Sequence, residues 1–273
     1  VSVQDIFPES LQSQRRAGSN LAGRALAALD RWIARRAAAI VVISERFAEH
    51  YRRRRGVEAA RIHVVPNWMP AKPADESPDA AEACRQRHGI SRDALLLVYG
   101  GNVGVSAAVE TVIPVLEQVG DVHLLIAGEG ASLDLCRRLA ARVAPDRIHF
   151  ESPWTDTMGV LHAADIVVLP TRANQSATSV PSKLISYFLS ARPVIAVALD
   201  DSDTASAVRD AGAGVVVRPD DPGALAEAIR AMSQLTAAER SSMGRAGLAW
   251  AKANMTAEAC LPRLAEIIEQ VSR

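Results

Sequence analysis

Leu95-Leu96-Leu97-Val98-Tyr99-Gly100-Gly101-Asn102-Val103-Gly104 is the stretch on which the fold turns. Five large apolar or aromatic residues in a row suit a strand buried on both faces. The glycine-rich turn after them leads into a helical pattern over 107–119. The same alternation continues, with strands expected at 122–127, 147–150, 165–169, 193–197 and 214–217. Helices are expected between them at 132–143, 157–163, 182–190, 204–211 and 222–232. Apolar strands alternating with helices predict a parallel sheet covered on both sides. That is an α/β, doubly wound, Rossmann-like domain, with its ligand beyond the C-terminal ends of the strands.

Outward from this block the pattern is shorter. Residues 1–6 read as a strand ending at Phe7-Pro8-Glu9-Ser10, followed by a helix over 20–36 with Leu21, Leu26, Leu29 and Ile33 on one face. A strand is expected at 38–43. Ser44 then caps a helix that Gly56 closes near residue 55. Another strand at 61–65 stops at Pro66-Asn67-Trp68, and the proline-bearing stretch from Met69 to Ala80 reads as a linker. Two further helices, 237–252 and 257–271, follow the sheet.

Composition narrows the function. The chain has 273 residues, 49% hydrophobic and 23% charged, as expected of a folded protein. Thirty-one basic and thirty-one acidic residues cancel, which argues against nucleic-acid binding by bulk charge. No apolar run is long enough to span a bilayer. Cys84, Cys136 and Cys260 are odd in number and scattered, which favours a reducing, cytoplasmic setting over a disulfide framework. Only Lys72, Lys183 and Lys252 are lysines among many arginines, so a well-placed lysine carries weight.

Two segments have the chemistry of an anion site. Glycines in Gly100-Gly101-Asn102-Val103-Gly104 let backbone amides approach a phosphate. The spacing is not the full dinucleotide fingerprint, since Ala107 holds the last glycine position and no acidic residue ends the next strand; Gly128-Glu129-Gly130 stands there instead. In Ser179-Val180-Pro181-Ser182-Lys183-Leu184, Lys183 falls in the first turn of a helix. A cation there opposes the helix dipole by a few tenths of a kcal/mol, which a shared anion would reverse.

Ser179-Val180-Pro181-Ser182-Lys183-Leu184-Ile185-Ser186-Tyr187 with Arg192-Pro193-Val194-Ile195-Ala196 resembles the retaining glycosyltransferases of family 4, in the branch that builds colanic-acid-type exopolysaccharides. Val3-Gln4-Asp5-Ile6-Phe7-Pro8-Glu9, Ile62-His63-Val64-Val65-Pro66-Asn67-Trp68 and Ala211-Gly212-Ala213-Gly214-Val215-Val216-Val217 agree with it in order and spacing. The resemblance implies a GT-B fold, two Rossmann-like domains facing across a cleft. Residues 1–68 are then the tail of the acceptor-side domain, 69–92 a connector, 93–250 the nucleotide-sugar domain and 251–273 a helix that returns to the first domain. The natural chain is accordingly expected to continue upstream of Val1, and this chain alone to be incompetent for transfer.

The resemblance also implies the chemistry. The donor is a UDP- or GDP-sugar, no cofactor is required, and no metal is expected. Gly101, Asn102 and Gly104 would face the diphosphate, Lys183 would neutralise it as the catalytic cation, and Ser182, Ser186 and Arg172 would stand beside it. Trp154, after the third strand, is placed where a base could stack or a loop could pack; Asp203-Thr204 is a further position of interest. The acceptor is a saccharide, lipid-linked, in exopolysaccharide or other cell-surface glycan synthesis, and the arginines at 35–36 and 52–55 read either as a solvated helix face or as a contact for anionic lipid at the inner face of the plasma membrane.

The sequence also departs from the family. Where relatives have two glutamates eight positions apart, this chain has Thr178 and Ser186; where many have an arginine and a lysine after the glycine loop, it has Val105 and Ser106. His63, His123, His149 and His162 show no spacing for a metal or a triad. Two alternatives therefore stand beside a transferase: a nucleotide-sugar epimerase, whose carboxylates have no evident place, and a non-catalytic nucleotide-sugar binder.

Overall fold

The computed structural model describes residues 1–6, 20–70, 78–176 and 181–272. The expected turn at 7–10, connector residues 71–77 and the stretch 177–180 with Thr178, Ser179 and Val180 lie outside them, as does the side chain of Leu21. The chain divides into two compact units. One draws on Val1–Ala71 and Lys252–Arg273, the other on Lys72–Ser176 and Pro181–Ala251.

The first unit holds a parallel sheet of β1 (Ser2–Val3), β2 (Ile40–Val42) and β3 (Ile62–Val64), in that order. Side chains alternate along β2. Ile40 and Val42 join Val3, Phe47, Tyr51 and Ala34 of helix α1 (Asn20–Arg36) in one cluster. Val41 packs on the other side with Ala39, Val65 and two residues of the last helix, Cys260 and Ile267. That helix, Ala257–Ser272, is tied down where Met69 and Thr256 bridge.

Ser44 caps α2 (Glu45–His50) as its residue type predicts, its hydroxyl accepting the Phe47 N–H at 3.2 Å. The helix continues as a wider π turn, Tyr51–Arg55, and ends at Gly56 with φ +68°. Arg55 corrects the reading of residues 52–55 as wholly solvated. It is buried and paired with Asp30, which also accepts from the Tyr51 hydroxyl at 3.3 Å, while Arg52 and Arg53 pair with Glu49. On α1, Leu26, Leu29, Trp32 and Ile33 are each more than a third exposed.

The second unit runs α3 (Pro78–Arg87), β4 (Leu95–Gly100), β5 (Val122–Ala127), α4 (Leu133–Val143), β6 (Ile148–Glu151), α5 (Thr157–Ala163), β7 (Ile166–Pro170) and α6 (Ala173–Ser176). It continues with α7 (Lys183–Leu189), β8 (Val194–Val197), α8 (Asp203–Asp210), β9 (Gly214–Val217), α9 (Pro222–Gln234) and α10 (Ala237–Asn254). Its six strands are all parallel, in the order β6-β5-β4-β7-β8-β9. Leu96 to Tyr99 and Ile166 to Val168 are fully buried, as strands covered on both faces must be.

Two expectations fail here. The helix expected over 107–119 is a chain of short 3-10 turns, Val105–Ala107, Val109–Thr111 and Ile113–Glu117. Ala108 sits at φ +51°, which breaks α-helical propagation, and Pro114 lacks an N–H. The connector expected to reach residue 92 instead contains α3, and Arg85 locks that helix onto the sheet. The Arg85 guanidinium is buried, donating to the carbonyls of Ser91, Ala94 and Ala163 at 2.9–3.0 Å and to Asp165 at 2.7 Å.

The Asp165 carboxylate is 28% exposed, so the buried partner is Arg85, and removing a buried partner costs about 3 kcal/mol. Arg85→Met is therefore expected to lower the unfolding free energy by about 3 kcal/mol in urea titrations. An unchanged midpoint would show that α3 docks without it.

Candidate functional site

The strand order is that of a dinucleotide-type Rossmann sheet. β4 leads outward to β5 on one side and β7 outward to β8 on the other, so the loops after these neighbouring strands diverge. A ligand crevice opens at such a switch point, beyond the carboxyl ends of the strands. The residues that converge on it come from the loops after β4, β5 and β7 and from the start of α7.

The glycine loop is held from behind. The Gly101 N–H donates to the Ala127 carbonyl at 2.9 Å, and the Val103 N–H to the Glu129 carbonyl at 2.8 Å. Gly128 and Gly130 permit this approach: a Cβ on Gly128 would fall 1.9 Å from the Gly101 oxygen, and one on Gly130 2.4 Å from the Val103 oxygen. Among the described residues, the amides of Asn102 and Gly104 donate to no protein acceptor. Of the three loop residues expected at the diphosphate, Gly101 thus supplies closeness, and Asn102 and Gly104 supply free donors.

Lys183 lies directly against this loop. Gly101 has φ +144°, and a Cβ there would stand 2.2 Å from the Lys183 Cε. The ammonium lies 5.8 Å from the Tyr99 ring centroid, and burial lowers its pKa. Among the described residues it forms no ion pair. Arg172 differs: its guanidinium is taken up by Glu110 and by the Val105 carbonyl at 2.8 Å. Its charge is already balanced.

Ser182 is exposed at the start of α7 and makes no capping hydrogen bond. Ser186 turns its hydroxyl back to the Lys183 carbonyl at 2.9 Å. Trp154 packs its ring edge on the turn, 2.9 Å from where a Gly100 Cβ would stand, with its indole N–H on the Asp156 carbonyl. Asp203 opens α8; Thr204 is buried, and its hydroxyl has no partner among the described residues.

One residue went unassigned in the sequence although it stood in the motif. Tyr187 is fully buried, and its hydroxyl accepts from the Gly100 N–H at 2.9 Å and donates to the Gly100 carbonyl at 3.1 Å. Four positions after Lys183, it sits one turn further along α7, and it clamps the end of β4 beneath the glycine loop.

The model for glycosyl transferases group 1 matches residues 95–234, just over half the chain, and the model for a glycosyl transferase 4-like domain matches residues 1–68. The chain belongs to the group 1 glycosyl transferases. Among relatives of this family, it is 25% identical over 237 residues to the alpha-D-kanosaminyltransferase of Streptomyces kanamyceticus, covering 84% of this chain and 60% of that protein. It is 29% identical over 206 residues to the D-inositol 3-phosphate glycosyltransferase of Geodermatophilus obscurus, covering 69% and 43%. The chain thus spans about half the length of these curated relatives. A glycosyltransferase structure from Rickettsia africae superposes with a TM-score of 0.79 at 14% identity, over 100% of this chain and 70% of that one. Anabaena HepE in complex with UDP and glucose gives 0.77 at 16%, over 98% and 70%. These likenesses bear out the GT-B type of fold.

Two substitutions probe this arrangement. Tyr187→Phe leaves both Gly100 groups without their buried partner and is expected to cost about 1–3 kcal/mol of stability, read by thermal unfolding. Gly101→Ala should leave the sheet folded by circular dichroism while forcing Lys183 off the loop, visible as altered line positions of a labelled Lys183 side chain in NMR. Lines that stay in place would show the contact to be dispensable.

Proposed function

We propose that this protein transfers a sugar from a nucleotide-sugar donor, UDP- or GDP-linked, to a saccharide acceptor. The observation that carries the reading is the Lys183 ammonium, half-buried and unpaired among the described residues, set against a glycine loop with free amides at the switch point of the sheet. When the bond from the anomeric carbon to the diphosphate oxygen breaks, that oxygen gains negative charge. An ammonium and fixed amides aimed at it stabilise the departing diphosphate at little reorganisation cost. Sugar transfer is what the names of the kanosaminyl- and inositol-phosphate-directed relatives describe.

The finer reading follows the family resemblance. The acceptor oxygen bonds to the anomeric carbon on the face the diphosphate leaves, its proton passes to a phosphate oxygen, and configuration is retained. No protein nucleophile is needed. Gly101, Asn102, Gly104, Ser182 and Lys183 serve the diphosphate in the 93–250 region, with Ser186, Trp154 and Arg172 supporting the loops around it, and residues 1–68 serve the acceptor side. The acceptor is lipid-linked, in exopolysaccharide or cell-surface glycan synthesis on the cytoplasmic side. Contact with an anionic membrane is supported by α1, where Trp32, Leu29 and Ile33 are exposed beside Arg35 and Arg36. Among the described residues, no helix is long and apolar enough to cross a membrane.

Calorimetry with UDP-, GDP- and dTDP-sugars tests this reading. Lys183→Ala is expected to weaken binding of the preferred donor at least tenfold, about 1.4 kcal/mol, with an unchanged melting temperature. Equal affinity in the variant would move the clamp elsewhere and overturn the assignment. Tight binding without transfer to any saccharide would favour the non-catalytic alternative.

A further inference from the structure

We infer that Cys84, His88 and Glu151 form a binding site for a zinc-like divalent cation at the outer edge of the six-stranded sheet. β6 is the edge strand, and Glu151 ends it. Cys84 lies in the last turn of α3 and His88 just past its end; four positions apart, they share one side of the helix. The His88 Nε2 is 3.1 Å from the Glu151 Oε2, and the Cys84 Sγ is 4.0 Å from the same oxygen. All three ligand atoms lie within 4.8 Å of one another. Cys84 is fully buried, and the His88 and Glu151 side chains are only 15% and 14% exposed.

The chemistry of this donor set selects the ion. Zinc takes thiolate at about 2.3 Å and imidazole or carboxylate at about 2.0–2.2 Å, which sets tetrahedral ligand atoms some 3.3–3.8 Å apart. The separations here bracket that spacing, so closing on a cation needs shifts of about 1 Å or less. One sulfur, one nitrogen and one oxygen disfavour magnesium and calcium, which want oxygen alone. Without a cation the thiol faces a carboxylate across 4.0 Å, a poor contact for a weak donor. A metal between them converts that gap into two bonds, the Cys84 proton leaving to solvent.

The surroundings suit the same role. The His149 ring lies 5.8 Å from the His88 ring and stacks on His123, with His123 Nδ1 and His149 Nε2 3.0 Å apart. Arg87, 48% exposed, occupies the Glu151 carboxylate at 3.1 Å and is the group a cation must displace. In the sequence only the Cys84–His88 interval hints at the site, because its third ligand comes 63 residues after His88. It is built from α3 and β6, and none of its residues belongs to the Gly101–Lys183 site.

The test uses the whole 273-residue chain, stripped with a chelator and titrated with Co²⁺ and Zn²⁺. One Co²⁺ per chain with a thiolate charge-transfer band is expected, and Cys84→Ser should abolish that band and weaken Zn²⁺ at least about 100-fold. His88→Gln should cost at least about tenfold. Arg87→Ala keeps all three ligands and should bind Zn²⁺ more tightly than the parent, which keeps the question answerable if Cys84→Ser fails to fold. Absence of stoichiometric binding at micromolar protein, an intact charge-transfer band in folded Cys84→Ser, or Arg87→Ala binding no better than the parent would each overturn the inference.

Discussion

The second unit depends on how closely backbone approaches backbone at the end of β4. Gly100 is gripped at both its N–H and its carbonyl by one buried phenol, Tyr187, while the Gly101 oxygen sits where any side chain on Gly128 would have to be. Those two contacts bring three segments far apart in sequence to one point. They also leave the outer surface of the turn as bare backbone, the form a phosphate-binding loop needs. Trp154, packed on Gly100, and the Val103 bonds to Glu129 and Ser132 hold the same turn from its other sides.

The two kinds of cation divide the work in this unit, two arginines at the N-terminal ends of the strands and a lysine at the turn after β4. Arginine has five donors in a fixed fork, suited to gathering several carbonyls at once. Arg85 gathers three, and Arg147 takes those of Leu116, Val119, Gly120 and Val122. Arg172 is neutralised by Glu110. The stem of Lys183 lies against the glycine loop and its compact ammonium 5.8 Å from the Tyr99 ring, with no ion pair among the described residues. In a chain with few lysines, the one beside the loop carries a charge that no ion pair among the described residues takes up.

The strands of the larger sheet were legible because burial on both faces demands uninterrupted apolar runs, and Leu95–Gly100 or Ile166–Pro170 can be little else. A helix start with a side-chain cap was legible too, at Ser44; the Asp221 side chain that caps α9 appears only in the structure. Residues 107–119 misled because apolar spacing reports burial, and 3-10 turns bury Val109, Val112, Ile113, Val115 and Leu116 as well as a helix does. α3 was hidden by the prolines around it, one of which, Pro78, in fact opens it. Its anchor, Arg85, has no local signature, since all its partners lie elsewhere in the chain or in the following turn.

What the sequence determined by itself was the alternation of strand and helix, the parallel sheet that alternation requires, and two segments fit for an anion: the glycine turn after β4 and the lysine at the start of α7. Those follow from local periodicity and from residue chemistry, which are properties of neighbours in the chain. Only the tertiary structure decided that the two segments touch, that Arg172 is already paired, that Tyr187 carries the turn, and that Cys84, His88 and Glu151 meet at the sheet edge. The physical reason is the same in each case. A hydrogen bond, an ion pair or a close approach joins atoms through space, and strand order rather than sequence order sets which atoms those are.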